Sequence, residues 1–135
     1  MTLRIVSTAA LAALAVLISA AAYAQRPKLD VPIMVGGIEL DACGSLAEVK
    51  GLDPTGDNFL SVRSGPGATF REIDRLKAKE HVIICGEKGV WYAAIYPWSN
   101  KNDCKVGTPW PKRAVYSGPC KSGWIHSKFV EIIAG

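Results

Sequence analysis

Turn-forming residues recur at short intervals along most of this chain. From residue 43 to residue 135, Gly, Pro, Asn or Asp interrupts the sequence about every 8 to 12 residues, which is the spacing of short strands in a small sandwich or barrel. The segments between the breaks are β-branched or aromatic in character, and no long helical period is present. We therefore predict an all-β domain of about five to seven short strands, at residues 46–49, 59–63, 71–76, 81–85, 91–96, and 124 with 129–133.

The clearest local prediction is a hairpin over residues 81–96. Residues 86–89 read Gly-Glu-Lys-Gly, and glycine tolerates the positive φ values that a tight turn requires. In the second strand, residues at odd and even positions point to opposite faces, and both sets are apolar. We therefore expect both faces of this hairpin to be covered.

Residues 97–121 form the longest stretch without a strand pattern. The stretch contains Trp98, Trp110 and two of the four cysteines, and a loop of this length is uncommon inside a compact domain. Two interpretations are open: the segment folds over the outer face of the hairpin, or it is a binding loop. Its aromatic content and its cysteines favour the first.

Four cysteines, an even number, follow the apolar N-terminal segment, and in an oxidising compartment such a set indicates disulfides. Of the three possible pairings, local closure favours Cys104 with Cys120, which leaves Cys43 with Cys85. Chain entropy gives about 3 kcal/mol for the shorter loop and about 4 kcal/mol for the longer one. Zinc sites usually contain a close Cys-x-x-Cys pair, and this chain has none, so we predict no metal and no cofactor.

The N-terminus has the features of an export signal. Residues 5–24 contain no charge, follow Arg4 and end in Ala-Tyr-Ala, a small-residue pattern that signal peptidase cleaves. We predict a signal helix over residues 1–24, cleavage after Ala24, and a periplasmic or secreted protein that has no membrane attachment afterwards. An uncleaved anchor is the alternative, because the run is almost long enough to span a bilayer. Residues 25–42 have scattered Pro and Gly and no sustained period, which predicts an irregular leader that is mobile or lies along the domain.

Four motifs then occur in a characteristic order. They are LSVRSGPG at residues 60–67, the apolar positions Ile73, Leu76, Val82 and Ile84, GVWY at residues 89–92, and SGWIHSKFV at residues 122–130. Together they resemble the bacterial SH3 domain family. The resemblance implies a small SH3-like barrel with a short helical turn near residues 126–128. It also implies a noncatalytic module of the bacterial envelope that recognises cell-wall peptide or glycan, or holds an attached enzyme in place.

The chain departs from this family in two respects. Family members pass from the strand ending near Tyr96 to the Gly-Trp segment in a few residues, whereas about 25 residues intervene here. The cysteines are not part of the general family pattern either. These differences indicate an exported, disulfide-containing subgroup, with the domain at residues 43–135 and an insertion at residues 97–121.

Catalysis and nucleic-acid binding find little support in the sequence. Oxidised cysteines are not nucleophiles, and His126 beside Ser127 belongs to no catalytic motif. The net charge is only +4 at pH 7, a mild excess that does not by itself indicate a nucleic-acid partner. We therefore expect no enzymatic activity.

Binding through aromatic side chains is the better supported class of function. Rings outside the core can stack on sugars, peptides or prolines, and the candidates are Tyr96, Trp98 and Trp110, with Phe70 behind them. Alternatively, each ring packs the insertion onto the barrel. The expected partner is cell-wall peptide or glycan, or an envelope protein. The alternative function is a structural or inhibitory partner of another periplasmic protein.

Overall fold

The computed structural model describes residues 31–37, 40–98 and 103–135, and this part of the chain is all-β. The predicted signal peptide, its cleavage site and the leader up to residue 30 lie outside the described residues. The strands are β1 (Met34–Val35), β2 (Ser45–Val49), β3 (Leu60–Arg63), β4 (Glu72–Leu76), β5 (His81–Lys88), β6 (Trp91–Tyr96), β7 (Ala114–Val115), β8 (Lys121–His126) and β9 (Val130–Ala134). Within these ranges, no helix is long and apolar enough to cross a membrane.

Seven of the strands form one antiparallel sheet in the order β4-β3-β8-β6-β5-β2-β9. Its two ends are not hydrogen-bonded to each other in the described residues, so the predicted closed barrel is wrong in this respect. Both end strands have features that discourage further pairing. β4 presents the charged residues Glu72, Asp74 and Arg75, and β9 contains a bulge where Ile133 has no register partner on β2.

The inner face of the sheet forms a core because alternate residues of its strands point to that face. Every second residue of β3 is buried, and β6 contributes its even-numbered positions. One glycine permits the strands to approach: a Cβ on Gly123 of β8 would lie 2.2 Å from Val62 Cγ1. The inner core consists of Ala47, Val49, Leu60, Val62, Leu76, Val82, Ala94, Tyr96 and Ile125.

The outer face of β6 is covered by the insertion, as the first interpretation predicted. Ala93 and Ile95 of β6 pack in a second cluster with residues from the insertion and from the leader, so both faces of the hairpin are covered as expected. The described leader is not irregular throughout, because β1 pairs with β7 inside the insertion. The outer core consists of Val31, Ile33, Val35, Ala42, Cys43, Ala93, Ile95, Cys104, Val106, Tyr116 and Cys120.

Both predicted disulfides are present. Cys43–Cys85 joins the segment before β2 to β5, and Cys104–Cys120 closes the insertion. Cys85 is the extra residue of a bulge in β5, because Ile84 and Gly86 pair with consecutive residues of β6. A bulge redirects the side chain of its extra residue, which here reaches the cysteine before β2.

The hairpin of β5 and β6 is confirmed, with a longer first strand than predicted. β5 continues to Lys88, which pairs with Trp91, so the turn consists of Gly89 and Val90 and not of residues 86–89. Gly89 has a φ of 60°, the left-handed region that glycine adopts without strain. Between β8 and β9, a 3-10 turn lies at Ser127–Phe129, one residue later than the helical turn that the family resemblance implied.

Candidate functional site

Tyr96 and Trp98, two of the predicted binding residues, meet at a polar cluster. The Tyr96 ring belongs to the inner core and is 2% exposed, and its hydroxyl donates a hydrogen bond to Asp74 Oδ2 over 3.1 Å. Lys121 Nζ donates to the same carboxylate over 2.8 Å and lies 4.2 Å from the centre of the Trp98 ring. Trp98 is 54% exposed, so it presents indole surface to solvent whereas Tyr96 does not.

The neighbours of Asp74 in this cluster favour its charged form. Burial acts to raise the pKa of Asp74, but the hydrogen bond and the positive charge of Lys121, with the bonds from the Arg75 N–H and Tyr96, hold that pKa below its ordinary value. Burial, followed by the negative charge of Asp74, raises the pKa of Tyr96, so its hydroxyl stays a donor. The cluster thus joins β8 to β4, two strands that are not neighbours in the sheet.

Trp110 is a packing residue of the outer layer. Its ring stacks on Tyr116 with the centroids 6.0 Å apart and the planes at 25°, and its Nε1–H donates to the Lys105 carbonyl over 2.8 Å. It is half-buried against the outer core. The backbone of Gly36 lies so close that a Cβ there would be 2.5 Å from Trp110 Cβ. Trp110 therefore attaches the insertion to the leader.

Phe70 occupies a third location, over the turn at residues 64–67. A Cβ on Gly65 would lie 2.3 Å from the Phe70 ring, so the glycine is required for the ring to rest on this turn. Arg63 donates to the Phe70 carbonyl over 3.0 Å. Phe70 is 45% exposed. The four predicted residues therefore do not form one exposed aromatic patch, because Tyr96 is buried and Trp110 and Phe70 are each held by their own neighbours.

A different set of aromatic residues lines a groove with a volume of about 260 Å³. We call it the aromatic groove, and it runs between the chain segment around residues 52–63 and the ends of β6 and β8. Its lining residues are Leu52, Asp57, Phe59, Leu60, Ser61, Arg63, Ala68, Trp91, His126 and Phe129.

Three rings form a continuous edge-to-face series along one wall of the aromatic groove. Trp91 and His126 are register partners on β6 and β8, with their ring centroids 5.2 Å apart and their planes at 71°. Phe129 follows in the 3-10 turn, with its centroid 5.9 Å from that of His126 and the planes at 63°. Such arrangements suit the charge distribution of aromatic rings, so the wall is both apolar and well defined.

The other contributions to the groove are mixed in character. The Phe59 ring is covered by the Arg75 guanidinium at 3.9 Å, and Asp57 and Arg63 add one charge of each sign to the lining. Apolar walls with a few polar groups are typical of ligand-binding pockets. No group of three His, Cys, Asp or Glu side chains that could hold a metal ion occurs in the described residues.

The groove was not predicted from the sequence, because the predicted binding rings are Phe70 and three rings in or beside the insertion. Trp91, His126 and Phe129 all belong to the motifs that resemble the bacterial SH3 family, but none was a binding candidate. The register of β6 against β8 is the signal that brings the first two together, and register is a tertiary property.

A second depression, of about 320 Å³, lies beside Cys43 at the other end of the sheet. Small and aliphatic residues form most of its lining, including Gly44, Leu46 and Ala134. No aromatic ring is among its described lining residues, and it offers fewer distinguishing groups to a ligand than the aromatic groove does.

Comparison of the chain with protein-family models, with curated proteins and with solved structures found no match. The geometry of the molecule is therefore the basis for its proposed function.

Proposed function

We propose that this protein is a noncatalytic binding module of the bacterial cell envelope, similar to bacterial SH3 domains, and that the aromatic groove binds cell-wall peptide or glycan. The observation that carries the proposal is the ordered series of Trp91, His126 and Phe129 along one wall of the groove. Rigid rings beside a few polar groups suit extended peptides and sugar rings, which need flat apolar contacts and directed hydrogen bonds.

An exported location is supported by the cysteines. Both disulfides fit an oxidising compartment, and the sequence before residue 25 has the features of a signal peptide. The similarity to bacterial SH3 domains is supported by the motif order and by a 3-10 turn directly before the last strand.

Retention on purified cell-wall sacculi tests the proposal. The protein beginning at Gln25 is sedimented with sacculi, and its Trp91→Ala and Phe129→Ala variants are compared with it. Each variant should bind about tenfold more weakly, because truncating a central aromatic contact removes more than about 1 kcal/mol of binding free energy. Circular dichroism and thermal melting should show that both variants remain folded.

Trp98→Ala is the matched control, since it removes an exposed indole outside the groove. It should be retained as the parent is. If Trp98→Ala lost retention and Trp91→Ala did not, the ligand surface would be at the insertion. If the parent itself were not retained, cell wall would be the wrong ligand, and stable co-purification with another exported protein would favour the alternative of a structural or inhibitory partner.

A further inference from the structure

One ring of the aromatic groove has its two nitrogens in different situations. Nδ1 of His126 lies 3.0 Å from the backbone N of Lys128 and accepts a hydrogen bond from that N–H. Nε2 has no hydrogen-bond partner among the described residues. In the described residues, every buried side-chain nitrogen or oxygen has a hydrogen-bond partner. Because Nε2 has none, it must be accessible to solvent.

The tautomer of His126 follows from this arrangement. A backbone N–H can only donate, so the ring nitrogen facing it must carry a lone pair. Neutral imidazole has one proton, which must then be on the other nitrogen. The backbone of the 3-10 turn thus holds His126 with its N–H on Nε2.

We propose that His126 is a specificity-determining residue of the aromatic groove and donates a hydrogen bond from Nε2 to an acceptor oxygen of the ligand. Its neighbours on either side, Trp91 and Phe129, offer apolar ring surface. The proposal rests on the function proposed above and adds to it. The ligand presents a carbonyl, carboxylate or hydroxyl oxygen between two apolar contacts, and a ligand with only a donor at that point is rejected, as a donor facing a donor leaves both unpaired.

Nitrogen-15 NMR of histidine-labelled protein reads the tautomer without any ligand. The chain has two histidines, and the His81→Gln variant assigns their signals. For the neutral imidazole of His126 we expect the pattern of a protonated Nε2 and an unprotonated Nδ1. The opposite pattern, or a rapid mixture of both tautomers, would overturn the proposal.

Two substitutions separate donation to the ligand from support of the turn. In His126→Asn the side-chain oxygen reaches the position of Nδ1 and can accept from the Lys128 N–H, but no donor replaces Nε2. In His126→Gln the amide nitrogen reaches the position of Nε2 and donates, but the acceptor is lost. Both variants lose the ring contacts, so this loss cancels when they are compared with each other.

Melting temperature and binding to sacculi should rank the two variants in opposite orders. His126→Asn should melt at the higher temperature of the two because it keeps the bond to the turn. His126→Gln should bind purified sacculi about tenfold more tightly than His126→Asn, which is the range for one hydrogen bond to a ligand. Equal retention of the two variants, or tighter binding by His126→Asn, would overturn the proposal. If the parent does not bind sacculi, the proposed wall ligand fails, and the NMR result by itself then decides whether the donor exists.

Discussion

The two faces of the main sheet are covered in different ways. On the inner face, the buried apolar side chains come from six strands of one sheet, β2 to β6 and β8. On the outer face, β6 is covered by residues 31–35 and 104–120, which contain only two residues of strand each. The inner layer is held by continuous ladders of hydrogen bonds, whereas the outer layer combines a short β1–β7 pairing and single backbone hydrogen bonds with the two disulfides.

The difference shows how a domain of this size covers a strand that is apolar on both sides. An antiparallel sheet usually has one solvated face with polar residues, and β6 has none. Ordering short irregular segments is costly in entropy, and the backbone hydrogen bonds that join the leader to the insertion, such as those from Gly37 to Trp110 and from Tyr116 to Ile33, do not extend into a long ladder. Cross-links reduce that cost by restricting the unfolded chain, and here one disulfide joins Cys43 to β5 and the other closes the insertion.

Removing the Cys104–Cys120 disulfide is the strongest test of this comparison. The Cys104→Ala/Cys120→Ala variant should lose about 4 kcal/mol of unfolding free energy: about 3 kcal/mol because the bridge closes a loop, and about 1 kcal/mol because two buried sulfur atoms are removed from the packing. Amide hydrogen exchange should show lost protection in β7 and around Val106, with protection kept in β3 and β6. Equal loss in the inner strands would mean that both faces unfold as one unit.

A matched pair of isoleucines compares the faces directly. Ile125 of the inner core and Ile33 of the outer core are 0% and 1% exposed. Each Ile→Ala variant should lose about 3 kcal/mol of unfolding free energy, measured by urea denaturation, because each leaves a cavity in a packed region. If Ile33→Ala cost less than about 0.5 kcal/mol, as surface substitutions do, the leader would be an attached strand and not part of a core.

The smallest effect concerns the polar cluster of Asp74, Lys121 and Tyr96, which joins β4 to β8 without a covalent bond. The pKa of Asp74 is lower in the folded protein than its ordinary value, so its contribution is complete above an unfolded pKa of about 3.9. It is lost as the pH falls through the folded value. Asp74→Asn should therefore be less stable than the parent near neutral pH, by no more than about 1 kcal/mol for a half-exposed pair.

Acid denaturation measures this term. The difference in unfolding free energy between the parent and Asp74→Asn should shrink as the pH falls below about 4. A difference that is constant down to about pH 2 would show that the hydrogen bonds of Asp74, and not its charge, stabilise the cluster. The stabilisation by a disulfide does not change with pH in this range. A pH series therefore distinguishes it from the stabilisation by the Asp74 cluster.

Much of the strand content was predictable because it depends on local pattern. Residues 91–96 alternate between two faces and were assigned to a strand with the observed bounds. The disulfide pairing was favoured by the short separation of Cys104 and Cys120, a property of the chain alone. The end of β5 was misplaced since Gly86 looks like a turn residue, whereas it follows a bulge inside the strand.

The ribbon of β1 and β7 was missed although part of its signal is local. Val31, Ile33 and Val35 alternate with exposed residues, but Pro32 and the glycines that follow made the segment resemble a loop. The closure of the sheet was also mispredicted. Whether the first and last strands of a sheet pair depends on its accumulated twist and on bulges such as the one at Ile133.

Local chemistry was sufficient for the all-β class, the central hairpin and the two cross-links, because periodicity, turn residues and cysteine spacing act over a few residues. Which rings line a groove was decided by folding alone. Trp91 and Phe129 are 38 positions apart and lie on either side of His126 through the register of β6 on β8 and one 3-10 turn. Tyr96, equally aromatic, is buried because its position in the same strand faces the inner core.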